Sequence, residues 1–323
     1  MPVPSSGSDG VCWSIISELC NVAPLAQLTC SAGLLGGGRR RTELHVEAVI
    51  PVQKANRALI DERLRRVRAI VNDESPMRID GQIQVGIDLG TADVAVIAVD
   101  QAGEPVAAFL EWADVVRDGV VLDYWGAIEI VKSMMAKIGR RVGREITSAT
   151  TAYPPGTDPY ASINVLQAAG LKVSAVVDEP SSVALLLNIE EGAVVDIGGG
   201  TTGISVVLEG SIVKTADEAT GGRHVTLTIA GNRHIPFEQA ELLKRTDPGA
   251  ELQAIAQPVF EKMTDIVRSH IKTFDVPAIY LTGGTCCFPG VEELFRREFP
   301  DKEIFLPSEP LYLTPLAIAS YGL

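Results

Sequence analysis

From residue 84 onward, short runs of β-branched and apolar residues alternate with longer stretches whose apolar positions recur at helical spacing. Val85, Ile87 and Leu89, then residues 94–99, are bounded by Gly90-Thr91 and by Gln101-Ala102-Gly103. Such runs suit strands covered on both faces by helices. A helix is predicted over 124–142 with Asp123 as its N-cap, and a strand over 147–153 stopped by Pro154-Pro155-Gly156. A helix over 160–169 ending at Gly170, a strand over 172–177 and, past Asp178-Glu179-Pro180, a helix over 181–187 follow. The theme then restarts with strands over 193–197 and 203–208, the tight Glu209-Gly210 turn, a strand over 211–215 and a later one over 278–282. Overlaying Asp88 on Asp196 also overlays residues 94–98 on the later apolar strand. This is a duplication at domain scale, not a solenoid period. It predicts two similar α/β domains, 82–190 and 191–323, with a closing helix free to return to the first.

Ahead of these domains, residues 52–71 place Leu59, Ile60, Leu64, Val67, Ile70 and Val71 against Lys54, Arg57, Arg63, Arg65, Arg66 and Arg68. This is a basic amphipathic helix, read chiefly as docked on or beside the body, with recruitment to a partner surface as the alternative. Residues 73–81, with Pro76, read as a linker, so helix and linker together fill 46–81. Residues 1–45 are rich in Ser, Gly and Pro, run through Gly36-Gly37-Gly38-Arg39-Arg40-Arg41, and are expected to be a disordered leader. The most apolar stretch there, 11–28, carries Glu18, Asn21 and Pro24 and lacks a basic flank, so neither a membrane span nor a signal peptide is expected.

Composition narrows the classes. An apolar share of 46% against 21% charged residues is that of a globular chain. Its 323 residues exceed the roughly 100–200 of one domain, in line with the duplication. A net charge of −13 without a basic aromatic stripe excludes a general nucleic-acid binder. Five cysteines, Cys12, Cys20, Cys30, Cys286 and Cys287, form no regular framework and suggest reduced thiols in a cytoplasmic protein. The four histidines show no zinc spacing.

The two turns of the duplication carry the chemistry. They are Ile87-Asp88-Leu89-Gly90-Thr91 and Val195-Asp196-Ile197-Gly198-Gly199-Gly200-Thr201-Thr202. A phosphate needs inward-pointing backbone N–H groups, which Gly90, Gly198, Gly199 and Gly200 permit, and hydroxyls such as Thr91, Thr201 and Thr202 add donors. A bare carboxylate beside a polyphosphate is repelled unless Mg²⁺ or its water shell lies between them, so Asp88 and Asp196 are the metal-facing candidates. Three consecutive glycines add no packing, which makes the second turn the more specific of the two.

Four ordered motifs carry a family resemblance: Val85-Gly86-Ile87-Asp88-Leu89-Gly90-Thr91, Asp178-Glu179-Pro180-Ser181-Ser182, the second turn, and Leu281-Thr282-Gly283-Gly284-Thr285. They resemble the phosphate, connecting and adenosine motifs of the actin, DnaK-type chaperone and sugar kinase superfamily, over residues 84–323. Glu111-Trp112-Ala113-Asp114-Val115-Val116-Arg117-Asp118-Gly119, Tyr153-Pro154-Pro155-Gly156-Thr157 and Cys287-Phe288-Pro289-Gly290 resemble the ethanolamine-utilisation J protein family, a chaperone-like branch that accompanies bacterial microcompartments.

The resemblance implies an actin-like ATPase fold, two βββαβα-type domains closing on ATP and Mg²⁺. It implies Glu179 as the acid orienting an attacking water, with Asp196 as its catalytic partner. Glu241 and Lys244 become adenosine contacts, and Gly283, Gly284 and Thr285 a turn approached by the nucleoside. For Glu179 the helix-start position, for Glu241 and Lys244 a surface ion pair, and for the glycines an ordinary turn are the plain alternatives. Protein partners in the ethanolamine microcompartment pathway are implied, and self-association stays open. Three functions are compatible: a slow nucleotide switch or chaperone-like assembly factor; a non-catalytic scaffold or actin-like filament; and, least favoured, a small-molecule kinase. No lysine matches the chaperones' catalytic one and no peptide-binding domain precedes Leu323, so direct client folding is not expected.

Overall fold

Each duplicated stretch folds into a five-stranded sheet with the same strand order. The computed structural model describes residues 46–117 and 120–323, with side chains from residue 56 onward. The readings for residues 1–45, including Cys12, Cys20 and Cys30, lie outside the described residues. Helix α1 (Val46–Ile70) leads into β1 (Ile83–Leu89), β2 (Asp93–Asp100) and β3 (Pro105–Trp112). A small hairpin, β4 (Val116–Arg117) and β5 (Val120–Val121), precedes α2 (Tyr124–Val142), β6 (Ser148–Tyr153), α3 (Tyr160–Ala168), β7 (Lys172–Asp178) and α4 (Glu179–Leu186). The second stretch runs through β8 (Gly192–Ile197), β9 (Thr202–Leu208), β10 (Ser211–Glu218), α5 (Gly222–Arg233), α6 (Phe237–Thr246) and α7 (Ala250–Ile271). It closes with β11 (Ala278–Thr282), α8 (Val291–Glu298), β12 (Glu303–Phe305) and α9 (Leu313–Ala319). The orders are β3-β2-β1-β6-β7 and β10-β9-β8-β11-β12, in each case an antiparallel meander extended by two parallel strands.

Strand alternation sorts the side chains into layers. Val85, Ile87 and Leu89 of β1 join an outer core with α2, and Val195 and Ile197 of β8 join another with α5 and α7. The inner faces of both sheets meet a shared core containing Ile60, Leu64 and Val67 of α1, Val183 and Leu187 at α4, and Leu313 and Leu316 of α9. Layers therefore run helix, sheet, helix, sheet, helix. Full burial of Ile60, Leu64 and Val67 contributes roughly 1.5–3 kcal/mol per side chain.

The basic face of α1 is largely engaged within the chain. Arg57, 9% exposed, donates to the Tyr280 hydroxyl and to Glu303, both at 2.6 Å. Arg63 pairs with Glu104 at 2.9 Å and Asn56 donates to the Leu186 carbonyl at 3.2 Å. The stretch read as a linker is also held: buried Arg141 of α2 donates to the carbonyls of Asp73 at 3.0 Å and Ser75 at 2.9 Å.

The Asp123 cap is present, accepting from Gly126 N at 2.9 Å. Helix α4 starts two residues earlier than its apolar pattern suggests, because Asp178 caps it by accepting from Ser181 N and Pro180 fits its first turn. Helix α1 likewise begins before residue 52.

At its closest, α9 meets β1 through Gly86, where an added Cβ would stand 2.3 Å from the Ala319 nitrogen. Gly86→Ala is expected to cost about 1–3 kcal/mol through overpacking against backbone that cannot rotate away. Urea unfolding should show a lower midpoint with an unchanged slope; an unchanged midpoint would mean that α9 is not seated there.

Candidate functional site

The same alternation that builds the layers aims two carboxylates inward. On β1, Gly86 and Asp88 face the central helices, and on β8 so do Val194 and Asp196. Asp88 pairs with Ala95 and Asp196 with Gly203, so equivalent turns, residues 90–93 and 198–201, follow each aspartate. The turns touch: a Cβ on Gly199 would lie 2.9 Å from Ala92 Cβ. Between the halves lies a cleft of about 420 Å³, lined by both turns, Asp88, Glu179, Asp196, Glu241, Lys244 and the Gly283-Gly284 turn. That volume lies within the range of small-ligand sites.

Electrostatics dominate its floor. Burial, with Asp93 and Asp196 nearby, holds the Asp88 carboxyl well above the usual range. Burial and four neighbouring acids do the same to Glu179. Asp196 is pushed up to about 6 by burial, although Thr314 Oγ1 donates to its Oδ2 at 2.6 Å. Asp93 rises to about 7 through burial and Asp196, against the pull of Arg245. Converging acids that resist ionisation are a setting that a cation would relieve. Among the described residues no three His, Cys, Asp or Glu side chains could together hold a metal ion directly. The arrangement therefore fits a cation that keeps its waters and shares a phosphate, as Mg²⁺ does.

The opposite wall is a polar network. Lys244 Nζ donates to Glu241 at 2.7 Å, Thr226 Oγ1 at 2.9 Å and the Gly222 carbonyl at 3.1 Å, while Thr226 also bonds Glu241. Lys244 and Glu241 are thus a half-hidden pair at the cleft wall and not a solvated surface pair, and burial lowers the lysine's pKa. Thr285 Oγ1 donates to the Gly198 carbonyl at 2.7 Å, fixing the glycine turn from behind. Gly283 has φ +92°, and a Cβ there would stand 2.4 Å from Asp196 Oδ1, so both the backbone and the close approach demand glycine.

Of the residues predicted from sequence, Gly90, Thr91, Gly198, Gly199, Gly200, Thr201, Gly284 and Thr285 line this cleft with those already named. Thr202 is not brought to it. It begins β9, is fully buried, and donates its hydroxyl to the Thr220 carbonyl at 2.6 Å. The sequence reading missed Asp93, Thr314, Arg245 and Gly222. Asp93 is a fourth acid, placed where the first turn runs into β2; Thr314 is a lone hydroxyl in the apolar run of α9. Gly222 sits at a strand-to-helix junction, where a Cβ would lie 2.4 Å from Thr285 Oγ1.

Residues 193–317 match the family model of cell division protein FtsA, and residues 110–234 that of MreB/Mbl protein. The ethanolamine utilization protein EutJ of Escherichia coli K12 is 50% identical over 260 residues, covering 80% of this chain and 93% of the relative. The crystal structure of EutJ from Carboxydothermus hydrogenoformans superposes with a TM-score of 0.77 at 44% identity, covering 83% of this chain and all of the other. MreB5 of Spiroplasma citri, solved bound to AMPPNP, superposes at 0.58 with 17% identity over 74% of this chain and 95% of its own, a likeness of fold alone. The architecture is the actin-like ATPase fold.

Asp93→Asn tests the electrostatic reading. A carboxyl raised to about 7 in the folded state contributes stability that is present below its unfolded value near ~4 and lost as pH rises to about 7. The ligand-free Asn variant should gain about 2–4 °C in Tm at pH 8 and progressively less toward pH 4. A gain independent of pH would refute the assignment.

Proposed function

The chain belongs to the EutJ family of ethanolamine utilization proteins, and from that premise we propose that it is a slow Mg-ATP-dependent switch whose cleft closure is read by protein partners of the pathway. The observation that carries the proposal is the pair of equivalent turns meeting beneath four inward carboxylates. Gly90, Thr91 and residues 198–201 supply backbone and hydroxyl donors for a polyphosphate. Asp88 and Asp196 face the position of a hydrated cation, which when bound would offset the charge of phosphate and carboxylates together. Glu241 and Lys244 flank the nucleoside side, and Gly283 and Gly284 let the backbone approach it. AMPPNP in the MreB5 structure supports a nucleotide as ligand for this fold.

In this reading Glu179 positions the water and accepts its proton. A new bond from the water oxygen to the terminal phosphorus forms as the bond to the bridging oxygen breaks, and turn amides stabilise the charge that develops. Burial and the surrounding acids raise its pKa, the direction that strengthens a carboxylate as a base. Thr314 and Thr282, hydroxyl to hydroxyl at 3.0 Å, hold Asp196 in place from α9 and β11. Closure of the two halves then couples phosphate loss to a change of shape, and partner proteins of the ethanolamine microcompartment read that change as a signal or as a chaperone-like assembly cue. The surroundings implied are cytoplasmic.

Calorimetry should detect Mg-ATP binding to the wild type. Glu179→Gln should lower phosphate release about 100-fold while Kd stays within about threefold, whereas Asp196→Ala should weaken Mg-dependent binding. Binding with no release that Glu179→Gln diminishes would make the protein a nucleotide-stabilised scaffold; absence of binding at millimolar Mg-ATP would remove the switch altogether.

A further inference from the structure

Across the mouth of the cleft runs a contact that the duplicated turns do not explain. Trp112 ends β3 and pairs in register with Asp93 at the start of β2, so indole and carboxylate lie side by side on one face of the first sheet. From the second stretch, Arg245 in the last turn of α6 places its guanidinium carbon 4.1 Å from the centroid of the Trp112 ring. The same guanidinium attracts Asp93 and lies 3.5 Å from Glu241. Trp112, Asp93 and Arg245 all line the cleft, yet the indole remains 48% exposed.

We propose that Arg245 and Trp112 form a clasp across the cleft that gates the exchange of nucleotide. The proposal rests on the nucleotide reading above and adds the rate-controlling pair. The guanidinium stays charged at any working pH and sits over the electron-rich ring face, the preferred cation–π geometry. One partner is fixed to a strand end and the other to a helix inserted between β10 and β11. Parting of the halves at the cleft would separate them. Arg245 keeps the Glu241 carboxylate of its own helix beside it when it leaves the indole, so the clasp opens without stranding a charge. A gate of this kind slows entry and release alike, because ligand passes it in both directions. A residue that only touches bound ligand would instead change affinity.

The test is stopped-flow exchange of an ATP carrying a fluorescent label on the ribose, in the presence of Mg²⁺. Trp112→Ala should accelerate both entry and release about threefold to tenfold, the range expected for loss of one partly exposed cation–π contact. The Kd should stay within about twofold, and Trp112→Phe, which keeps a ring face, should stay near the wild-type rates. Circular dichroism and the urea midpoint of each variant confirm that it is folded. Wild-type binding with unchanged rates in Trp112→Ala would overturn the clasp alone. Faster release with a matching loss of affinity would also overturn it, making Trp112 a ligand contact. A wild type that takes up no labelled ATP would bring down the nucleotide reading, and the clasp with it.

Discussion

The seating of α9 is the constraint on which the remaining architecture depends. By chain order the helix closes the second half, yet its end packs on β1 so tightly that residue 86 has room only for hydrogen. Its first turn meanwhile places the Thr314 hydroxyl on Asp196 of β8. One short helix therefore sets the spacing of the two sheets and the pose of a central carboxylate. With α4 and α1 it forms the layer about which the halves are arranged, and the cleft opens where that layer ends.

Within the cleft, chemistry has been favoured over stability. Four acids are gathered where burial and mutual repulsion resist their ionisation, and among the described residues Thr314, beside Asp196, and Arg245, near Asp93, only partly compensate. A fold selected for stability alone would avoid this arrangement, since a buried charge without a partner is strongly unfavourable. The imbalance makes sense if the missing counter-charge arrives with a ligand. On the proposed reading the glycine turns would supply donors for the anionic part of the same ligand, dividing the site between groups suited to a cation and groups suited to a phosphate.

Much of the sheet core was legible because its strands are apolar, β-branched runs cut by glycine. Helix α2 was legible to the residue, its Asp123 cap among the signals, and the structure ends it at Gly143 in the left-handed conformation. The duplication was visible because each aspartate precedes a turn of equal length. Less could be read where tertiary contact overrides local pattern. Strand β12 has three residues, α7 carries Pro258 inside it, and the pattern named neither of them. At the site, the glycine-rich cradle stood out by composition. Thr202 was misplaced because strand polarity decides which of two adjacent threonines faces the cleft. Asp93, Arg245 and Thr314 come together only in three dimensions, and no spacing announces them.

The first helix shows how a strong sequence signal can describe the interior of a fold. Its arginines suggest a surface for a partner, but Arg57, Arg63 and Arg66 meet acids of this chain, while Arg65 is exposed. Arg57 reaches Tyr280 and Glu303 of the second sheet, and Arg63 reaches Glu104 beside the first. Arg68 lies near the Tyr312 hydroxyl and also lines the cleft. Because the two anchors lie on different sheets, any change in the angle between those sheets must strain or release contacts along α1. The helix is thus a structural tie between the two halves, and the charges that marked it out in the sequence are the means by which it is tied.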